Sequence, residues 1–177
     1  MVVCPTLGKD GVSVMRTLAA LALILAGSSV AYAGSNESFI GQVGGWNGAI
    51  VSQSHGNNAS AVLQAGVGNH AYVSQTSTWA GGKNGSLVLS SGFANTAVVG
   101  QTTGFGGANG QLTLQNGVGN TAITGQNSGL WGANGSATIQ EGWGNTAITS
   151  QTSYGSPLNT AVTAQFGAHN FAMTVQK

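Results

Sequence analysis

One seven-residue pattern, repeated twelve times, constrains this chain more than any other feature. Each segment opens on Asn, at Asn36, Asn47, Asn58, Asn69, Asn84, Asn95, Asn109, Asn120, Asn134, Asn145, Asn159 and Asn170. Eleven close on Gln six residues later, at Gln42, Gln53, Gln64, Gln75, Gln101, Gln115, Gln126, Gln140, Gln151, Gln165 and Gln176, and Ser90 takes that place in the fifth. The segments fall into pairs whose Asn residues are 11 positions apart. The four-residue connector inside each pair has glycine in second place, at Gly44, Gly66, Gly92, Gly117, Gly142 and Gly167. Glycine supplies the positive φ that a tight turn needs. The result is six strand–turn–strand units, 36–53, 58–75, 84–101, 109–126, 134–151 and 159–176.

The residues inside a segment read with period two, as in a β-strand. Counted from Asn as zero, position +2 is Ser or Ala in all segments but the one holding Gln111. Position +4 is Ile or Val in the first six (Ile40 to Val99) and Thr in the last six (Thr113 to Thr174). Position +3, on the opposite face, is apolar or aromatic throughout, from Phe39 to Met173. Both faces can be packed, so periodicity alone leaves the core face open. Gly, Thr, Asn and Val disfavour a helix.

Stacking such units sets like on like about every 4.8 Å. An amide has two donors and an acceptor, so a column of Asn or Gln satisfies itself and can be buried. A column of Asp or Glu would repel itself, which accounts for the scarcity of acids. The reading is an all-β fold: a β-solenoid of six coils with two facing parallel sheets, about 29 Å tall at the cross-β spacing. Solenoids need polar caps, because bare strand edges pair with other chains. The repeats carry no cap, so head-to-tail stacking into a filament is the expected behaviour.

Charge excludes other classes. Only four Lys or Arg and three Asp or Glu occur in 177 residues. That is too few cations for a nucleic-acid face and too few ionisable groups for most enzymes. Ahead of the repeats, Met15 and Arg16 precede an apolar stretch ending in Ala31, Tyr32 and Ala33. This reads as a secretory signal peptide cut after Ala33, with residues 1–14 an upstream extension and Met1 or Met15 the start. The exported segment, 34–177, keeps Lys83, Lys177, Glu37 and Glu141 and no cysteine, so no disulfide supports it.

The runs QAGVGNHAYVSQ (64–75), QNGVGNTAITGQ (115–126) and QEGWGNTAITSQ (140–151) resemble the curlin repeat of bacterial curli fibre subunits. The resemblance spans 36–176. It implies a secreted structural subunit, major-subunit-like rather than nucleator, that self-assembles into extracellular amyloid fibres for biofilm matrix and adhesion. It also implies passage through the periplasm, with a nucleator subunit, an outer-membrane secretion pore and a periplasmic chaperone as partners. In that family the repeat Asn, Ala and Gln point inward, which assigns Asn120, Ala122, Thr124 and Gln126 to the core. Familiar subunits have five repeats, where this chain has six, and a longer segment before the first repeat.

Other chemistries find little support. His55, His70 and His169 match no ligand spacing, and no metal, cofactor or catalytic residue is assigned. Trp46, Phe93, Trp143 and Phe166 recur in the tight connectors and read as turn packing. The alternative is a monomeric secreted β-solenoid binding ice, through Thr96, Thr121, Thr146 and Thr160, or carbohydrate. If the +3 stripe points outward, filaments bundle laterally.

Overall fold

A computed structural model describes residues 36–78, 81–155 and 157–177; the signal segment and Trp79 lie outside the described residues. Twelve strands alternate between two sheets. The first strands of the units are β1 (Asn36–Gly45), β3 (Asn57–Val67), β5 (Lys83–Phe93), β7 (Ala108–Val118), β9 (Ala133–Trp143) and β11 (Leu158–Ala168). They form one six-stranded parallel sheet in that order. The second strands are β2 (Gly48–Ser54), β4 (His70–Ser77), β6 (Thr96–Thr103), β8 (Thr121–Ser128), β10 (Thr146–Ser153) and β12 (Phe171–Gln176), and they form the other. The chain is thus a β-solenoid of six coils built of two parallel sheets.

Pairing is residue-for-residue across every step: Asn36 faces Asn58, Gln42 faces Gln64, and Gly44 faces Gly66. Connectors of four, eight or seven residues between coils therefore leave the ladder unchanged. The connection from the first coil to the second is short and the later ones are longer, yet the register is the same.

Alternation sorts the side chains as the strand period requires. The Asn, +2, +4 and Gln positions point between the sheets; Asn120, Ala122, Thr124 and Gln126 are all buried. The aliphatic part of this core lies in the second and third coils, where Val62, Val73, Val88 and Val99 pack with Ala71 and Ala97. In the fourth to sixth coils the same positions hold threonine, with Thr113, Thr124, Thr138, Thr149 and Thr163 buried. Apolar burial thus supplies one half of the solenoid and polar stacking the other.

The +3 positions point outward, and the two sheets differ. On the second sheet they are open: Ile50 is 59% exposed, Ile123 40% and Met173 62%. On the first sheet Ala61 at +3 is buried with Leu63 and Leu89 at +5 in a second apolar cluster against Phe39, Leu87 and Leu114, and the stripe opens again at Val162 in the last coil. Leu63 leans over Gly41, whose missing side chain leaves it room.

The first strands are longer than the seven-residue pattern suggests. They run through three of the four connector residues, so that β3 reaches Val67 and β7 reaches Val118. The second-place glycines are therefore strand residues, at φ between +102° and +124°, and not the corner of the turn. The reversal falls on the next two residues. The fourth connector residue is left-handed in every coil: Gly68, Gly119 and Gly144, but also Trp46, Ala94 and His169.

Candidate functional site

The distinctive construction is a set of four buried amide columns. In the first sheet Asn58 Nδ2 donates to Asn36 Oδ1 at 2.7 Å, Asn84 to Asn58 at 2.7 Å, Asn109 to Asn84 at 3.0 Å, Asn134 to Asn109 at 2.9 Å and Asn159 to Asn134 at 3.1 Å. Every bond runs from a coil to the one before it. The second sheet repeats this, from Asn170 through Asn145, Asn120, Asn95 and Asn69 to Asn47.

The Gln columns run the other way. Gln53 Nε2 donates to Gln75 Oε1 at 2.7 Å, Gln75 to Gln101 at 2.7 Å, Gln101 to Gln126 at 2.7 Å, Gln126 to Gln151 at 2.8 Å and Gln151 to Gln176 at 2.7 Å. In the first sheet Gln42 donates to Gln64, Gln115 to Gln140 and Gln140 to Gln165. Second protons are used as well. Gln75, Gln101, Gln126 and Gln151 each donate to a backbone carbonyl of the first strand of their own coil. These bonds tie the two sheets together across the core.

The second-sheet Asn residues also lock the turns. Asn69 Nδ2 donates to the Ala65 carbonyl four residues back and to the Gly92 carbonyl of the next coil, both at 3.1 Å. Asn95, Asn120 and Asn145 repeat both contacts. That grip offsets the left-handed strain at Trp46, Ala94 and His169, which costs about 1–2 kcal/mol per residue.

The glycine column explains its own composition. A Cβ on Gly66 would stand 2.0 Å from the Gly92 carbonyl oxygen, and the same distance is 2.0 Å at Gly92, 2.1 Å at Gly117 and 1.9 Å at Gly142. Positive φ and this close approach each require glycine.

One column was missed by reading segments as seven residues. Ser77, Thr103, Ser128 and Ser153, two places beyond the last Gln of their coils, are buried. Gly82, Gly107 and Gly132 of the loops lie against them, within 2.6 Å of a hydroxyl for an added Cβ. The signal was present in the sequence as a hydroxyl residue at a fixed offset followed by glycine. In the loops, Phe105 and Trp131 stack edge to face at 5.5 Å across neighbouring coils.

The columns end at the edges, and the two edges differ. Among the described residues, nothing pairs with the outer edges of β1 and β2 or of β11 and β12. At the β1 and β2 edge, Asn36 presents its Nδ2 protons and Asn47 its backbone N–H, the group that donates to the preceding Asn Oδ1 in every later coil. Asn47 Nδ2 is held by the Val43 and Gly66 carbonyls, and Gln42 and Gln53 present Oε1 acceptors. At the β11 and β12 edge, Asn159 and Asn170 present Oδ1 acceptors, and Gln165 and Gln176 present the remaining amide protons. Asn36, Ile40 and Gln42 are exposed, whereas their counterparts in the second coil are buried.

His55, His70 and His169 do not converge: no group of three His, Cys, Asp or Glu lies within reach of one ion among the described residues. Glu37, Lys83 and Glu141 all stand exposed on the first sheet, and the second sheet's outer face bears no charged residue. Comparison with protein-family models, curated proteins and solved structures finds no match for this chain.

Proposed function

We propose that this chain is a secreted, non-enzymatic structural subunit that stacks head to tail into extracellular amyloid fibres of the curli kind. The observation that carries this is the complementarity of the two end coils. Docking β11 of one copy on β1 of the next, and β12 on β2, sets donor against acceptor in all four columns. Asn36 then donates to Asn159 of the next copy and Asn47 to Asn170, while Gln165 donates to Gln42 and Gln176 to Gln53. A head-to-head joint would set donor against donor. The contact is heterologous and does not close, so it propagates as a fibre, with parallel strands at the cross-β spacing.

Biofilm matrix and surface adhesion are the roles that such a fibre serves. Export through the periplasm by way of the signal segment, an outer-membrane pore, a chaperone and a nucleator subunit belong to the same reading. They rest on the resemblance of the repeats and on the Ala31–Tyr32–Ala33 cleavage signal.

The test is fibre growth by residues 34–177 diluted from denaturant, followed by thioflavin T fluorescence and electron microscopy. The expected result is a lag, then dye-positive fibres with a meridional reflection at about 4.7–4.8 Å. A clear solution of folded monomer after days refutes self-assembly and turns the reading to a ligand- or ice-binding solenoid.

A further inference from the structure

The Gln column of the first sheet is interrupted once. Ser90 stands in register between Gln64 and Gln115 and is completely buried. A serine is three heavy atoms shorter than a glutamine, so it cannot carry the carboxamide that every other coil contributes. The two neighbours register the loss. Gln64 Nε2 and Gln115 Oε1 have no hydrogen-bond partner, although both residues are 2% exposed or less. The Ser90 hydroxyl reaches only Asn69 Oδ1, at 3.5 Å.

We infer that two ordered water molecules are bound at Ser90 and carry the column from Gln64 to Gln115. The first argument is polarity. Gln64 turns a donor toward this point and Gln115 an acceptor. A water accepting from Gln64 and donating onward continues the direction of the column, and no charge stands nearby to call for an ion. Turning the Gln64 amide over does not relieve the orphan. It would bring Gln64 Nε2 against Gln42 Nε2 and break the 2.6 Å bond between those residues.

The second argument is length. Coils repeat at about 4.8 Å, and a Gln-to-Gln bond adds about 2.7 Å, so Gln64 Nε2 and Gln115 Oε1 are roughly 7.5 Å apart. One water at ordinary hydrogen-bond distances spans about 5.6 Å, which is too short, and two span about 8.4 Å. Two waters also fit the room of three missing heavy atoms. Buried waters make about three hydrogen bonds each. Here the further partners are the Ser90 hydroxyl and the His70 carbonyl. The latter is the register equivalent of the Thr96 carbonyl, to which Gln115 Nε2 donates at 2.9 Å.

The site is independent of whether the chain forms fibres. It is tested by proton-detected solid-state NMR on the sedimented chain, ¹⁵N-labelled at glutamine side chains. The expected result is magnetisation transfer from water to the Gln64 amide and none to Gln75 or Gln101, which are equally buried but paired in the protein. In Ser90→Gln the transfer to Gln64 disappears, and exchange of its amide protons slows tenfold or more. Absence of water contact at Gln64 in the wild-type chain overturns the proposal, whatever the variant does. So does a Ser90→Gln chain that folds with the water contact intact.

Discussion

Gly167 is the outermost member of the glycine column, and replacing it with alanine separates folding from assembly. Within the chain an added Cβ at this position meets only Asn170 Nδ2, at 3.8 Å. The cost of Gly167→Ala to the isolated solenoid is then the φ of +102° alone, about 1–3 kcal/mol. In the proposed fibre the Gly44 carbonyl of the next copy takes the place that Gly167 holds over Gly142, where the distance to a Cβ is 1.9 Å. Relieving such a contact needs a displacement of more than an ångström, enough to lose two or three strand hydrogen bonds at about 1 kcal/mol each. That weakens docking at this edge roughly thirty- to hundredfold. The opposite edge, with Gly44, is untouched. A G167A copy therefore joins the growing β11–β12 end of a wild-type fibre once and then blocks it. The assay is elongation of wild-type seeds with a small fraction of G167A in the monomer pool. Growth is expected to stall at substoichiometric variant. Gly119→Ala is the control: its φ of +65° is also left-handed, but nothing lies within 4 Å of its Cβ. Folded G167A that extends wild-type seeds at the wild-type rate refutes both the docking edge and its register.

Gln101→Glu removes the donor that reaches Gln126 and sets a carboxyl in a fully buried column. Burial raises the folded-state pKa above the unfolded value of about 4.3. The ionisation part of the penalty is thus absent below that pH and grows as pH rises through the interval to the folded pKa, which denaturation midpoints measured across pH will show, while the lost donor costs the same throughout. Thr124 Oγ1 is buried without a partner, and Thr124 stands in register with Val99. Thr124→Val should stabilise by about 1 kcal/mol and Val99→Thr destabilise by about 1–3 kcal/mol, read from urea unfolding. On the second sheet's uncharged outer face, Val98→Lys with Ile123→Lys is expected to disperse laterally bundled filaments without stopping their growth. Micrographs of unchanged bundles would count against pairing through that face.

Much of the fold was legible because each coil obeys the same rules. The Asn spacing gives the coil, the period of two gives the strand, and the scarcity of acids points to stacked amides. Periodicity alone left the core face open, because +3 and +4 are both apolar in the first six segments; the resemblance assigned Asn120, Ala122, Thr124 and Gln126 inward, and all four are buried. In the structure the amides share the inner face with +4, and Gln75, Gln101, Gln126 and Gln151 there also reach carbonyls of the opposite sheet. The turns were misjudged for a different reason. Glycine at the second connector place suggests a corner, but Gly66 and its equivalents are held in the strand by stacking on the next coil's carbonyl. The true corner contains Trp46, Ala94 and His169 in half of the coils, residues that give no turn signal. Their conformation is held by the following Asn, whose side-chain amide donates to the backbone carbonyl four residues back.

The amide columns also answer why the core is not simply aliphatic. Among its largest fully buried side chains are Gln64, Gln75, Gln101, Gln115, Gln140 and Gln151. A sheet that slips by one residue turns its faces over and is penalised in any core. A slip of two keeps the face, and an aliphatic core would tolerate it, since valine over alanine still excludes water. Here the same slip sets Asn over Ser or Ala and Gln over Val or Thr, orphaning a buried amide at each step. Each orphan costs about 1–3 kcal/mol, and the columns make that cost recur at both ends of every strand. Register is therefore specified along the whole stack by polar groups whose net contribution to stability is small. In the proposed fibre the requirement is strictest at the joint between copies, where no loop ties one coil to the next. There the chain must find the register of its own interior from side chains alone.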